Sequence, residues 1–382
     1  MLGQDSLTLL ETDEFHIQRR GRFLAVHLKN PYLVLSTSQV NGGQTESVRV
    51  LLNHQSCEGK SHSDLRLDLH QMTPEAYHQA VCLEANLDPG ETAMMGTAAN
   101  MQYAAFASES YQEITVCAIA TAGVQGNAGR AGDSATWHEG EKGYQSVHAV
   151  AGTINVIVLF NWPLSVAAMT RAVATMTEAK SAVLQELAIG SRYSPELATG
   201  TGTDQFCLAA PLDSKRIAKT WTGKHAKLGE LLAKVVKDSI REALKWQNGL
   251  EPSRTRHLGH ALGRFGVDEM QLRIAMGIYL NEKDHALAEN NFQAILHEPQ
   301  VAGSAYAMAA VYDRLSYGTL PEMAAKELML NQAALMAASL AAKPEAFGSF
   351  RQSLSKESGM DFLKIPDLVA KALALGWQSK WR

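Results

Sequence analysis

The 382-residue sequence is poor in charge for its size, with 19% charged against 46% hydrophobic residues and a formal balance of only −4. Without a basic surplus, nucleic-acid binding and attachment to an anionic membrane lose their usual electrostatic footing. Long apolar runs are also missing. The longest, Ile154 to Phe160, has Asn155 inside it and falls far short of the roughly 20 residues a spanning helix needs. Four cysteines, Cys57, Cys82, Cys117 and Cys207, lie far apart without a CxxC pair. That spacing fits reduced, mostly buried thiols and not a disulfide framework. Thirteen histidines include no HExxH pair, so no resident metal and no cofactor are expected. The opening segment MLGQDSLTLLETDEF lacks a basic start, an apolar core and a small-residue cleavage site. It does not read as a secretory signal, and a cytoplasmic protein is expected.

What is present is enough apolar material for a large core in a chain expected to form two domains, residues 1–250 and 251–382. The expected class is α+β, a mixed sheet with flanking helices, followed by an all-α C-terminal module. Arg22 to Leu28 alternates, Tyr32 to Leu35 is a second apolar run, and Asn41, Gly42 and Gly43 favour a reversal into a strand through Val48, Val50 and Leu52. Helices are expected over Pro74 to Leu83 and over the small, alanine-rich stretch Gly96 to Ser108. Ile114 to Ala120, Ile154 to Phe160 and Phe206 to Ala210 read as strands. Leu164 to Ile189 and Ala226 to Leu244 read as helices, the latter with leucine, valine and isoleucine on one face. After Trp246 only amphipathic stretches follow, interrupted near Pro299, Pro321, Pro344 and Pro366.

Two loops concentrate the chemistry. Residues 121–133, TAGVQGNAGRAGD, combine glycines with Asn127, Arg130 and Asp133 after a buried strand, which suits close approach to a polar ligand. Arg130 and Asp133 could instead simply pair. Asp133 could serve as a general base or accept hydrogen bonds from substrate amides. Residues 198–204, ATGTGTD, offer Thr199, Thr201, Thr203 and Asp204 beside the N–H groups of Gly200 and Gly202, able to line an oxyanion or anion site. Neither loop has the Gly-Lys-Ser/Thr ending of a P-loop. Arg171, Thr175 and Glu178 form one stripe of the long helix, either a solvated face or one that aims Glu178 at the loops. Asn155 is a polar residue inside a strand and needs a hydrogen-bond partner, structural or substrate. Lys224 and His225 precede a helix, where they face solvent or help hold an electron-rich group.

As a set these motifs resemble the adenosylcobinamide amidohydrolase family. The resemblance runs through STSQVNGG at 36–43, GTAANMQYAAF at 96–106, TAGVQGNAGRAGD, GTINVIVLFN at 152–161, TEAKSAVLQEL at 177–187, ATGTGTDQ at 198–205 and TGKHAKLGELLAKVV at 222–236. It spans roughly residues 15 to 246. It implies hydrolysis of adenosylcobinamide to adenosylcobyric acid and 1-aminopropan-2-ol, a salvage or remodelling step for incomplete cobamides. Residues 251–382 extend beyond typical members. Three roles are open for them: capping the active site, forming a homo-oligomer, or binding a salvage-protein partner.

Amide hydrolysis needs a nucleophile, a proton for the leaving amine and stabilisation of the oxyanion. Two routes remain open. Water could be activated by Asp133, Glu178 or Asp204. Alternatively, Thr153 could attack, since the order of strand, long helix and glycine loop looks like that of ornithine acetyltransferases, whose nucleophile opens the strand. Asn41, Asn127, Arg130, Asn155, Thr201, Thr203, Lys224 and His225 are the expected substrate contacts. Met101, Tyr103, Phe106, Trp137 and Trp162 are either core or contacts to an apolar macrocycle. A corrinoid-binding or transfer protein without hydrolysis is the alternative function.

Overall fold

The computed structural model describes residues 6–56, 72–135, 137–140, 143–146, 152–356 and 361–380. The chain divides into two compact units, Met1–Tyr193 with Leu197–Leu250, and Ser194–Glu196 with Glu251–Arg382.

The first unit is built on two mixed sheets. One has the order β1 (Leu7–Glu11), β2 (Phe15–Arg20), β3 (Phe23–Leu28), β6 (Val50–Gln55) and β7 (Thr92–Thr97), with only β6 and β7 parallel. The other has the order β5 (Gly43–Thr45), β4 (Tyr32–Ser36), β15 (Gln205–Pro211), β13 (Ile154–Phe160), β9 (Ile114–Ala122) and β8 (Ala105–Tyr111). Here β13 and β15 run parallel and the other pairs antiparallel.

Strand alternation decides the layers, because successive side chains point to opposite faces. In β9, Val116, Ala118, Ala120 and Ala122 belong to one core, whereas Cys117 and Ile119 belong to another. The second of these cores lies between the sheets, where Leu24, Val26, Leu51 and Met95 meet Ile157, Leu159 and Ala209. The first core is roofed by α2 (Val166–Glu186) and α3 (Lys227–Asn248), which contribute Met169, Ala172, Leu231, Val235 and Ile240 among others. On the outer face of the five-stranded sheet, α1 (Pro74–Ala85) packs Val81 against Phe23, Val50 and Leu52. The result is four layers, helix, sheet, sheet and helices. The expected reversal is present, with Asn41 at φ 56° and Gly43 at φ 72°.

The alanine-rich stretch expected to be helical is not. It contributes the end of β7, a short 3-10 turn at Met101–Tyr103 and β8. Alanine's helix propensity is only a few tenths of a kcal/mol per residue over most alternatives, and β8 instead completes a ladder with β9 from Ala105↔Ala120 to Tyr111↔Ile114. Cys82, Cys117 and Cys207 are buried free thiols, and Cys57 lies outside the described residues.

The second unit is all helical among the described residues: α4 (Pro252–Thr255), α5 (Leu258–Leu262), α6 (Glu269–Tyr279), α7 (Glu282–Asn290), α8 (Phe292–Leu296), α9 (Pro299–Ser316), α10 (Glu322–Ala341), α11 (Phe347–Ser355) and α12 (Ile365–Lys380). Prolines punctuate it as expected, since a ring without N–H is tolerated at a helix start. Pro299 opens α9, Pro321 caps α10, Pro344 opens a 3-10 turn and Pro366 lies in the first turn of α12. Gly376 lets α12 approach α10 closely: a Cβ there would stand 2.5 Å from the carbonyl oxygen of Ala337. No helix among the described residues is long and apolar enough to cross a membrane.

Candidate active site

The crossover from β13 through α2 to β15 determines where the site forms. The helix returns antiparallel to the two strands, so its later turns lie beside the starts of both. Ser165 caps its first turn by accepting from the Ala168 N–H. At the strand starts, the two glycine loops pair with each other through β10 (Ala128–Gly129) and β14 (Gly200–Thr201). Between them opens a cleft of about 720 Å³, within the usual range for a ligand site. Asn127, Arg130 and Asp133 line it from the first loop, and Thr201 and Thr203 from the second. Thr177, Lys180 and Ser181 line it from α2, and Tyr193 from the segment that follows the helix.

At its base Lys180 forms an ion pair with Asp204. The carboxylate also accepts from the Ile154 N–H at 3.0 Å, the Thr201 N–H at 3.0 Å and the Thr201 hydroxyl at 2.5 Å. These bonds, with the Lys180 ammonium, use about the four acceptor positions a carboxylate has. Asp204 therefore anchors the second loop, the strand start and the lysine together. Gly200 makes this possible, because a Cβ there would stand 2.5 Å from Asp204 Oδ2 and 2.8 Å from Lys180 Nζ.

The first loop is held in the same manner. Asp133 Oδ2 accepts from the Arg130 backbone N–H at 2.7 Å and from the Ser191 hydroxyl at 2.6 Å. The Arg130 guanidinium donates to the Leu197 carbonyl at 3.0 Å. Asn127 donates to the Gly152 carbonyl at 3.0 Å and accepts from the Tyr193 hydroxyl at 2.7 Å, while Thr203 donates to the same Gly152 carbonyl at 3.0 Å. The Thr153 hydroxyl is buried and donates to the Thr203 carbonyl at 2.6 Å.

Asn155 faces away from the cleft, into the layer between the sheets. Its amide nitrogen donates to Asn53 Oδ1 at 2.9 Å and to the Gly96 carbonyl at 3.0 Å, and Asn53 in turn donates to the Thr121 hydroxyl at 2.8 Å. This buried amide pair satisfies polar groups that an apolar layer would otherwise leave unpaired.

Several expected residues lie elsewhere. Glu178 pairs with Lys224 at 2.6 Å, both more than half exposed, and does not reach the cleft. The reason is helical phase: at 3.6 residues per turn, a residue two positions from Lys180 lies about 200° around the helix. His225 is exposed beside Lys224, and neither lines the cleft. Asn41 donates to the carbonyls of Pro89 at 2.7 Å and Thr92 at 2.9 Å, tying its turn to the start of β7. Met101 is core. Tyr103 and Phe106 are partly exposed, and Trp162 donates to the Ile217 carbonyl; none of these lines the cleft. The Trp137 side chain lies outside the described residues.

Lys180, Ser181 and Tyr193 were not singled out by the motif reading. For Lys180 and Ser181 a signal lies on the helix, where Thr177, Lys180 and Ser181 are spaced i, i+3 and i+4 and so share a face; Tyr193, beyond the helix end, has no such signal. Among the described residues no three His, Cys, Asp or Glu side chains converge in a way that could hold a metal ion.

An uncharacterized protein of Methanocaldococcus jannaschii is 38% identical over 185 residues, covering 46% of this chain and 71% of that protein. A crystal structure of a Pyrococcus horikoshii protein aligns with 63% of this chain and 82% of its own, at 13% identity and a TM-score of 0.27. The family profile described as adenosylcobinamide amidohydrolase matches residues 6–252, which take in both loops, α2 and the anchoring strands. This chain belongs to the adenosylcobinamide amidohydrolase family.

Proposed function

We propose that this protein hydrolyses the aminopropanol amide of adenosylcobinamide, giving adenosylcobyric acid and 1-aminopropan-2-ol, as a cytoplasmic salvage step for incomplete cobamides. The observation that carries the reading is the joining of the two family loops into one cleft around the Lys180–Asp204 pair. A cleft of this size accepts an amide-bearing arm of the corrinoid, while the macrocycle itself stays at the mouth.

In this reading water is the nucleophile. The buried Thr153 hydroxyl is already committed to the Thr203 carbonyl, which favours water over a threonine nucleophile. Asp204 is saturated with donors and acts by holding Lys180 in place. Asp133, in the lining of the cleft, is the carboxylate we assign to take the proton from water. The Lys180 ammonium offsets the negative charge that grows on the carbonyl oxygen. As the C–N bond breaks, the proton moves to the leaving nitrogen. Asn127, Arg130, Thr201 and Thr203 contact the other amides of the substrate.

Incubation of the purified chain with adenosylcobinamide, followed by mass analysis, tests the reading. Stoichiometric aminopropanol and adenosylcobyric acid support it, and tight binding without product makes the protein a carrier instead. Turnover should also survive a chelator, and loss restored by added metal would contradict a charge supplied by Lys180 alone.

A further inference from the structure

The wall formed by Thr177 and Lys180 has a second side. Both residues also line a smaller pocket of about 150 Å³, whose remaining walls are Ile154, Val156, Met176, Asp204, Gln205 and Phe206. Strand alternation turns Ile154, Val156 and Phe206 toward α2, and Met176 descends from the helix to meet the same core. The pocket thus has an apolar body and a polar end, at Thr177, Lys180 and Asp204. The pocket opens to solvent at Thr177, which is exposed, and at the half-buried Gln205 and Phe206, while Ile154, Val156 and Met176 form its buried floor, so a small amphipathic group can enter and cover apolar surface there.

We propose that this pocket is the subsite for the amine portion of the substrate, a three-carbon amino alcohol. The inference rests on reading the cleft as a corrinoid amidase site. The volume is about five times the roughly 30 Å³ that one water occupies, and 1-aminopropan-2-ol has about that many non-hydrogen atoms. Its carbon chain meets Ile154, Val156, Met176 and Phe206, and its hydroxyl meets Thr177. The scissile amide then lies beside Lys180, which with Thr177 is common to both cavities, and the acid portion lies in the large cleft. Water oxygen bonds to the carbonyl carbon, the C–N bond breaks, and nitrogen takes the proton. The amine leaves into the small pocket and the carboxylate stays in the large one.

The pocket makes arm size the selected property. The experiment compares kcat/KM for corrinoids carrying an aminopropanol arm, an ethanolamine arm without the methyl group, and a branched, bulkier amino alcohol. Each is measured on the unaltered chain and on Val156→Leu and Met176→Ala, with melting curves to show that each variant is folded. A methylene in an apolar pocket is worth about 10-fold to 200-fold in discrimination. Val156→Leu should therefore lower the aminopropanol value about tenfold or more relative to ethanolamine, and Met176→Ala should shift preference by a similar factor toward the bulkier arm. If Val156→Leu does not fold, Met176→Ala alone decides. Unchanged ratios in folded variants that still hydrolyse the amide overturn the subsite and leave the reaction standing. No hydrolysis of any arm by the unaltered chain overturns the reaction and the subsite together.

Discussion

Lys180 and Asp204 lie 24 positions apart in sequence yet form an ion pair whose side chains are only 16% and 15% exposed, and the lysine lines both cavities. The lysine comes from a helix and the carboxylate from the loop before the following strand. Their meeting is a product of the crossover fold, and the functional account depends on it.

Removal of the ammonium should disable turnover more than folding. In Lys180→Met the Asp204 carboxylate keeps three donors, from Ile154 and Thr201. The expected loss is about 10² to 10³ in kcat, the range for removing one group that stabilises an oxyanion. Steady-state kinetics on a chain shown by its melting curve to be folded check this, and near-normal turnover would assign the lysine a structural role.

Two glycines of the same loop should behave differently. A Cβ at Gly200 meets Asp204 and Lys180 well inside contact distance, whereas one at Gly202 meets Asn127 at an ordinary 3.4 Å. Gly200→Ala displaces the pair and should cost about 10² in kcat/KM, the scale of a small misplacement in an active site. Gly202→Ala should cost much less. Equal losses in the two variants would count against the pair as the catalytic element.

The amide pair between the sheets should contribute to stability. Asn155→Ala strips donors from Asn53 Oδ1 and the Gly96 carbonyl, each left in a buried layer. Unsatisfied buried groups cost about 1–3 kcal/mol apiece. Because Asn53 loses its partner in that variant, adding Asn53→Ala should cost less than it does alone. Denaturant melts of the four chains measure the coupling, and strict additivity would show that the contact contributes nothing.

His54 should make stability depend on pH. The imidazole is fully buried and bonds the Met95 carbonyl through Nδ1 at 3.1 Å and the Tyr77 hydroxyl through Nε2 at 2.6 Å. A carbonyl only accepts, so Nδ1 carries the proton and Nε2 accepts from Tyr77. Burial pushes its pKa down from 6.5 to about 4, with Arg22 and His78 adding to the drop and the Met95 carbonyl and Glu84 opposing it. The unfolded chain therefore takes up this proton first. The contribution of His54 to stability is fully present above about pH 6.5 and is lost as pH falls through about 4. Melts of the unaltered chain and His54→Gln across this window should show their stability difference shrinking as pH falls. A constant difference would contradict the assignment.

Much of this architecture was legible in the sequence. β9, β13 and β15 are apolar runs of strand length, and α3 carries a single apolar stripe, so periodicity alone identifies them. β1 was not legible, because an edge strand with Leu7 and Leu9 exposed has no buried face to impose a pattern. β8 was hidden by its alanines, whose pairing partner is set by tertiary structure. Both glycine loops stand out by composition, but their pairing through Gly129 and Gly200 does not. The helix face was ambiguous for a similar reason. Glu178 and Lys180 are equally polar in sequence, and only the return of α2 across the strand starts turns Lys180 to the cleft and leaves Glu178 beside Lys224.

The most direct measurement is turnover of adenosylcobinamide by the full chain in water enriched in heavy oxygen. The account predicts equimolar adenosylcobyric acid and 1-aminopropan-2-ol, with a single solvent-derived oxygen in the new carboxylate and none in the amine. Recovery of intact adenosylcobinamide, bound or free, would contradict it.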